Sequence, residues 1–312
     1  MARRGVGVRE LASMCHVFYS PAYVLAGYEF DTTRKAGWVA ASLLSAPIEG
    51  VELVEPRPLT AKQVAGVHSA AYIKALRTGR PRQLAESQGF SWDSSLWPMV
   101  LATNGGVVAA ALSAMKHGVA GSLSSGLHHA RHATGAGFCT LNGLVIAAHA
   151  ALNAGAESVL ILDLDAHSGG GTASLISDEE RILHLDISVD GYDRYDGTER
   201  IRREYVSSPP EYLATVERCL AELDCKALDL CLYNAGMDPH EDCAIGGRPG
   251  ITGEVLATRE AMVFEWCRQR SLPIAFAHAG GYVSPGFNQD TLVSLHRLTI
   301  RSAGACITPR AH

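Results

Sequence analysis

Short apolar runs alternate along this chain with longer stretches in which apolar positions recur at helical spacing. Strands are predicted at residues 17–19, 121–124, 158–163, 182–187, 228–233 and 274–277, where apolar residues follow one another without a polar face. Helices are predicted between them, at 38–44, 61–76, 99–117, 143–154, 210–223 and 253–268. This alternation predicts an α/β fold, a mostly parallel sheet covered by helices. The polar clusters fall just after the strands. SGLHHARH follows the strand at Gly121, DLDAH closes the one at Val159, NAGMD follows LDLCLY, and HAGGY follows IAFA. Loops at the carboxyl ends of strands converge in open α/β sheets, so four separated segments are placed to build one pocket.

Composition narrows the class. With 312 residues, 47% of them hydrophobic, and 31 glycines, the chain can bury a large core with tight loops, and residues 1–312 are read as one catalytic domain. A formal charge of -5 provides no basic footprint for nucleic acid or an anionic membrane. The start, MARRGVGVRE, is not followed by a continuous apolar segment, so no signal peptide is expected. Residues 132–156 lack Asp, Glu, Lys and Arg, but their two histidines, two asparagines and several glycines read as core near a site rather than a membrane span. The eight cysteines include no CxxC pair, and Cys139, Cys231 and Cys267 read as reduced core residues, which fits a cytoplasmic setting.

The strongest chemical pattern is Asp163-Leu164-Asp165-Ala166-His167 followed by Ser168-Gly169-Gly170-Gly171. In an extended segment Asp163, Asp165 and His167 share one face. A carboxylate and an imidazole two positions apart suit a divalent metal, with Asp238 of AGMDPHED as a third ligand and an open position left for water. Taken alone, D-x-D-x-H is equally compatible with carboxylates capping backbone groups at a strand end. Adjacent His128 and His129 serve either as ligands or as a base and an acid beside the metal.

Together these segments resemble the histone deacetylase family within the arginase/deacetylase superfamily. The resemblance runs from HVFYSPAYV through VHSAAYIKAL, GLHHARHATGAGFCTLN, DLDAHSGGGT and NAGMDPHEDCAIGG to AHAGGY. The DLDAH form and YEFDTTRKAGWVAASL look most similar to the class IV and related bacterial deacetylase-like proteins. The resemblance implies a three-layer α/β/α fold and one zinc ion held by Asp165, His167 and Asp238. It makes His129 the proton shuttle, His128 its electrostatic companion, and Tyr282 the hydrogen-bond donor to the substrate carbonyl. Asp163 would support His128, and its backbone would contribute to a structural potassium site. Gly137 and Phe138 match the wall of the acyl-lysine channel.

Several positions depart from the pattern, among them Arg131-His132, which replaces a more usual basic-basic or proline-containing sequence near the histidine pair. Ser168 and Gly170 stand where the family usually has a histidine and then an Asp or Asn, and Cys243 stands where an aspartate is usual. The family residue at the position of Gly170 supports the second histidine of the pair. Without it His129 should be less strongly biased toward the imidazolium form unless another group substitutes.

At the entrance, Asp93 within GFSWDSSLW is a candidate for holding the substrate backbone, and equally a cap for the following helix with Trp92 packed beneath it. Tyr192 and Tyr195 in DGYDRYDG are candidates for bordering the mouth. The expected activity is hydrolysis of an acetyl or other acyl group from a small amine or a lysine side chain. The competing readings are an arginase-like guanidino or ureido hydrolase, which needs a two-metal cluster, and a catalytically silent metal-binding homologue. Oligomeric state is not specified by any heptad pattern.

Overall fold

A computed structural model describes residues 14–28, 30–224 and 227–307; the basic first segment lies outside them. Eight strands form one sheet: β1 Cys15–Phe18, β2 Val51–Val54, β3 Val119–Ser122, β4 Val159–Asp163, β5 Ile182–Ser188, β6 Ile201–Tyr205, β7 Leu230–Ala235 and β8 Ile274–His278. Their order is β2-β1-β3-β8-β7-β4-β5-β6, and every pairing is parallel. The helices are α1 Lys35–Ser45, α2 Ala61–Val64, α3 Ala70–Thr78, α4 Arg82–Ala85, α5 Leu96–His117, α6 Gly143–Asn153, α7 Gly170–Leu175, α8 Tyr212–Ala221, α9 Gly253–Gln269 and α10 Gln289–Ala305.

The strand sequences are apolar on both faces because both faces are covered. Leu160 and Leu162 of β4, Cys231 and Tyr233 of β7, and Ile274 and Phe276 of β8 join one core with α1, α8, α9 and α10. The alternate residues, Val159 and Ile161, Leu230 and Leu232, Ala275 and Ala277, join a second core with α3, α5 and α6. Gly121 of β3 lies opposite Phe276 of β8. A Cβ there would fall 2.0 Å from the Phe276 ring, so only glycine lets that ring lie across its neighbour. Among the described residues α5 is the one helix long and apolar enough to cross a membrane. Its apolar residues instead fill the second core.

The expected central strands are all present. Two edge strands, β2 and β6, go beyond the expectation, as does the last helix, α10. The single helix expected at 61–76 is two, because the chain leaves helical geometry at 65–69 and restarts at Ser69, whose hydroxyl accepts the Tyr72 N–H. That break aims His68 into the loop that carries the histidine pair. Its Nδ1 lies 2.9 Å from the Arg131 carbonyl, and its Nε2 accepts the Asn142 N–H at 3.0 Å. Asn142 in turn caps α6 and donates to the carbonyls of His128 and Ala130.

Candidate active site

The loops that follow β3, β4, β7 and β8 meet at one end of the sheet, as the sequence pattern predicts. Asp165, His167 and Asp238 are buried there, and one potential ligand atom from each lies within 4.8 Å of the others. His167 Nδ1 is 3.0 Å from Asp165 Oδ1 and 3.2 Å from Asp238 Oδ2. The outer carboxylate oxygens are fixed by backbone: Gly280 N–H donates to Asp165 Oδ2 and Ala166 N–H to Asp238 Oδ1.

This arrangement fits a divalent cation. Burial and then the neighbouring Asp165 push Asp238 up to about 6. Burial opposes protonation of His167, yet its contacts with Asp165 and Asp238 outweigh it and raise its pKa to about 11. Two buried carboxylates side by side favour positive charge beside them, and Asp238 Oδ2 accepts no hydrogen bond that would compete for it. One imidazole and two carboxylates form a donor set that zinc accepts.

The histidine pair stands beside the ligands. His128 Nε2 lies 3.1 Å from His129 Nε2 and 3.7 Å from Asp165 Oδ1. His128 Nδ1 faces Asp163 Oδ2 at 2.7 Å, while Asp163 Oδ1 accepts from Asn234 Nδ2 and from the Asp165 N–H. Burial works against a charge on His128, but Asp163 and Asp165 prevail and lift it to about 10. His129 goes the other way: burial and the adjacent His128 hold it down at about 4, against the pull of Asp193. Its Nδ1 lies 2.9 Å from Asp193 Oδ2. Asp193 was not among the residues expected from sequence, since nothing in the spacing of DGYDRYDG brings it to a histidine 64 positions earlier.

A narrow cavity of about 20 Å3 is lined by His128, His129, Gly137, Asp165 and Tyr282, among others. That is room for about one water molecule. Gly137 has φ +50, and a Cβ there would fall 2.5 Å from His129 Cδ2, so the expected channel wall is glycine for two reasons. Phe138 is also left-handed, at φ 61, and its ring stacks on Phe30 with centroids 3.9 Å apart. Phe30 in turn lies 5.1 Å from the Tyr282 ring. Tyr192 meets His129 edge-on at 4.9 Å.

One candidate for the mouth, Tyr195, sits elsewhere, while Asp93 makes a local contact ahead of α5. Tyr195 does not border the mouth; it packs against His184 behind the histidine pair, with its hydroxyl 3.3 Å from His184 Nδ1. Asp93 is exposed and accepts the Ser95 N–H at 2.7 Å just before α5. Trp92 packs beneath it, donating to the Leu76 carbonyl. Two buried basic residues absent from the sequence reading brace the site. Lys35 donates to the Ala279 carbonyl, and Arg259 donates to the carbonyls of Leu164 and Gly236, one in each ligand-bearing loop.

The family model of the histone deacetylase domain matches residues 32–298. The chain belongs to the histone deacetylase family. Membership makes deacetylase-type hydrolysis its reaction class. An uncharacterised protein of Picosynechococcus sp. is 30% identical over 76% of this chain and 80% of its own length. Histone deacetylase 2 of Arabidopsis thaliana is 28% identical over 87% and 75%. In fold, the crystal structure of acetylpolyamine aminohydrolase from Burkholderia pseudomallei superposes with a TM-score of 0.78 at 20% identity, covering 94% of this chain and 99% of that one. The α/β arginase/deacetylase architecture is therefore shared, with this family's sheet and helix layers.

Proposed function

We propose that the protein hydrolyses an N-acyl amide, removing a short acyl group such as acetyl from an amine or a lysine side chain, with one zinc ion held by Asp165, His167 and Asp238. The observation that carries this reading is a narrow cavity lined by a carboxylate-backed histidine pair, Tyr282 and Asp165, the last of these part of a buried triplet with His167 and Asp238. Acylated amines as substrates gain support from the acetylpolyamine aminohydrolase that shares the fold.

When bound, the ion supplies Lewis-acid polarisation of the scissile carbonyl and of a water. His129, neutral at physiological pH, takes a proton from that water on Nε2 and returns it to the leaving nitrogen. His128 carries positive charge, held there by Asp163, and offsets the negative charge that develops beside it. The Tyr282 hydroxyl donates to the carbonyl oxygen as it becomes an oxyanion. Gly137, Phe138 and Tyr192 flank the acyl chain, while a substrate role for Asp93 rests on its exposure at the loop before α5. The free cysteines among the described residues, buried but for the half-buried Cys306, support a reducing, cytoplasmic setting.

Metal-free protein reconstituted separately with zinc, cobalt and manganese tests this reading on acetylated lysine peptides and small N-acetylated amines. Turnover restored by one equivalent of metal is expected. Stoichiometric metal without turnover of any amide would overturn it, and two bound manganese ions with guanidino hydrolysis would replace it.

A further inference from the structure

Gly170 has no side chain, yet the space beside it is filled. A Cβ on Gly170 would fall 2.4 Å from the Asp193 carbonyl oxygen and 2.6 Å from Asp193 Oδ1. The turn at 190–193 has therefore moved into the volume that a side chain at 170 would need, and it brings its own carboxylate. That carboxylate is fully engaged. Oδ2 faces His129 Nδ1 at 2.9 Å and accepts the Gly171 N–H at 3.2 Å; Oδ1 accepts from the Arg131 guanidinium. Arg131 is itself anchored on the Gly170 carbonyl at 3.0 Å. Asp193 achieves this from a left-handed backbone, φ 57, a conformation that aspartate tolerates better than most residues but that still requires support. The support is visible: the Tyr192 N–H donates to Asp190 Oδ1, the Tyr192 carbonyl accepts the Ser168 N–H, and Arg248 pairs with Asp190.

From this geometry we infer that Asp193, oriented by Arg131 and the Gly171 N–H, is the positioning residue for His129, supplying from a separate loop the carboxylate that position 170 lacks. The inference rests on the amide-hydrolase reading above. The chemistry follows from the two faces of the imidazole. With Nδ1–H donated to Asp193, Nε2 is left as the basic atom and is aimed at His128 and the cavity. When Nε2 takes the proton from water, the ring becomes an imidazolium whose Nδ1–H faces the Asp193 carboxylate, with Arg131 on that carboxylate's other oxygen. The same proton then leaves Nε2 for the departing nitrogen, and the ring returns to its starting tautomer. Tyr192, the preceding residue, meets His129 edge-on, so one turn touches both the ring face and the Nδ1 edge of the base.

Asp193→Gly tests this, because glycine adopts the left-handed conformation freely and leaves a carboxylate-sized gap beside Arg131. Asp193→Asn keeps the volume and removes the charge. In zinc-loaded full-length protein both variants should lose at least about 100-fold in kcat while KM stays within about threefold. Sodium formate should restore at least about tenfold of the Asp193→Gly loss, where sodium chloride at equal ionic strength does not. Histidine nitrogen NMR of the metal-free protein should show His129 as a single Nδ1–H tautomer that becomes mixed in Asp193→Gly. Wild-type kcat in both variants, or an unchanged His129 tautomer, would overturn the inference, as would a kcat loss that tracks a lowered melting temperature. The tautomer measurement needs no substrate, so failure of the amide-hydrolase reading would leave it intact.

Discussion

Gly280 is pressed against the carboxylate of Asp238: a Cβ on it would fall 1.9 Å from Asp238 Oδ2 and 2.7 Å from Asp165 Oδ2. The same residue donates its N–H to Asp165 Oδ2. Even one methyl group here would push apart the oxygens that would hold the proposed ion. Gly280→Ala is therefore expected to reduce zinc binding to well below one equivalent per chain. Metal analysis after dialysis checks this, and a full equivalent retained by the variant would contradict it.

Tyr282 lines the cavity but is not one of the convergent ligand residues. Burial, followed by the negative charge of Asp238 and Asp165, drives its phenol well above the ordinary range, which favours the protonated hydroxyl that the proposed donor role needs. Tyr282→Phe should lower kcat by about 100- to 1,000-fold, the usual cost of one oxyanion donor. Zinc content should remain unchanged. Steady-state kinetics with metal analysis of the same samples separates the two effects.

Arg259 is fully buried and joins Glu260 at 2.7 Å while bonding the Leu164 and Gly236 carbonyls. The Glu260 carboxylate also accepts from Tyr233. Arg259→Met strands that carboxylate and two carbonyls in the core, a loss of about 3–5 kcal/mol. Urea unfolding measures it directly, and a loss under about 1 kcal/mol would show that the network relaxes around the gap.

Acidification should weaken the fold through histidines buried in their neutral form. Burial holds His68 at about 4 and His278 at about 3. An unfolded histidine titrates near 6.5. Below that pH the unfolded chain takes up protons that the folded one refuses, so their stabilisation is complete above about 6.5 and fades as pH falls toward the folded values. The urea midpoint should drop between pH 7 and pH 5, with a shallower drop in His68→Gln.

How much of this was legible in the sequence depended on the kind of signal. β4, β7 and β8 are buried on both sides and read as unbroken apolar runs, so they announced themselves, and the proposed ligand residues stand just beyond the ends of β4 and β7. β6, with the sequence IRREY, is an edge strand whose charged residues conceal it. The break before Ser69 was invisible because residues 61–76 keep helical spacing on both sides of it. Asp163 could be assigned to His128 by motif, and the structure places the two in contact. Asp193 could not, because its partner is set by the path of a turn rather than by spacing. Tyr195 looked like an entrance residue by proximity to Tyr192, but the turn sends the two rings in different directions.

β8 is the last strand in sequence, yet it sits in the middle of the sheet, between β3 and β7. Until it is made, β3 and β7 each present an unpaired edge, and the two halves of the sheet lack the strand that pairs with both. Gly280 and Tyr282 emerge only after that strand. During synthesis, a centre that draws on Gly280 and Tyr282 thus cannot come together until β8 and the loop after it have been made.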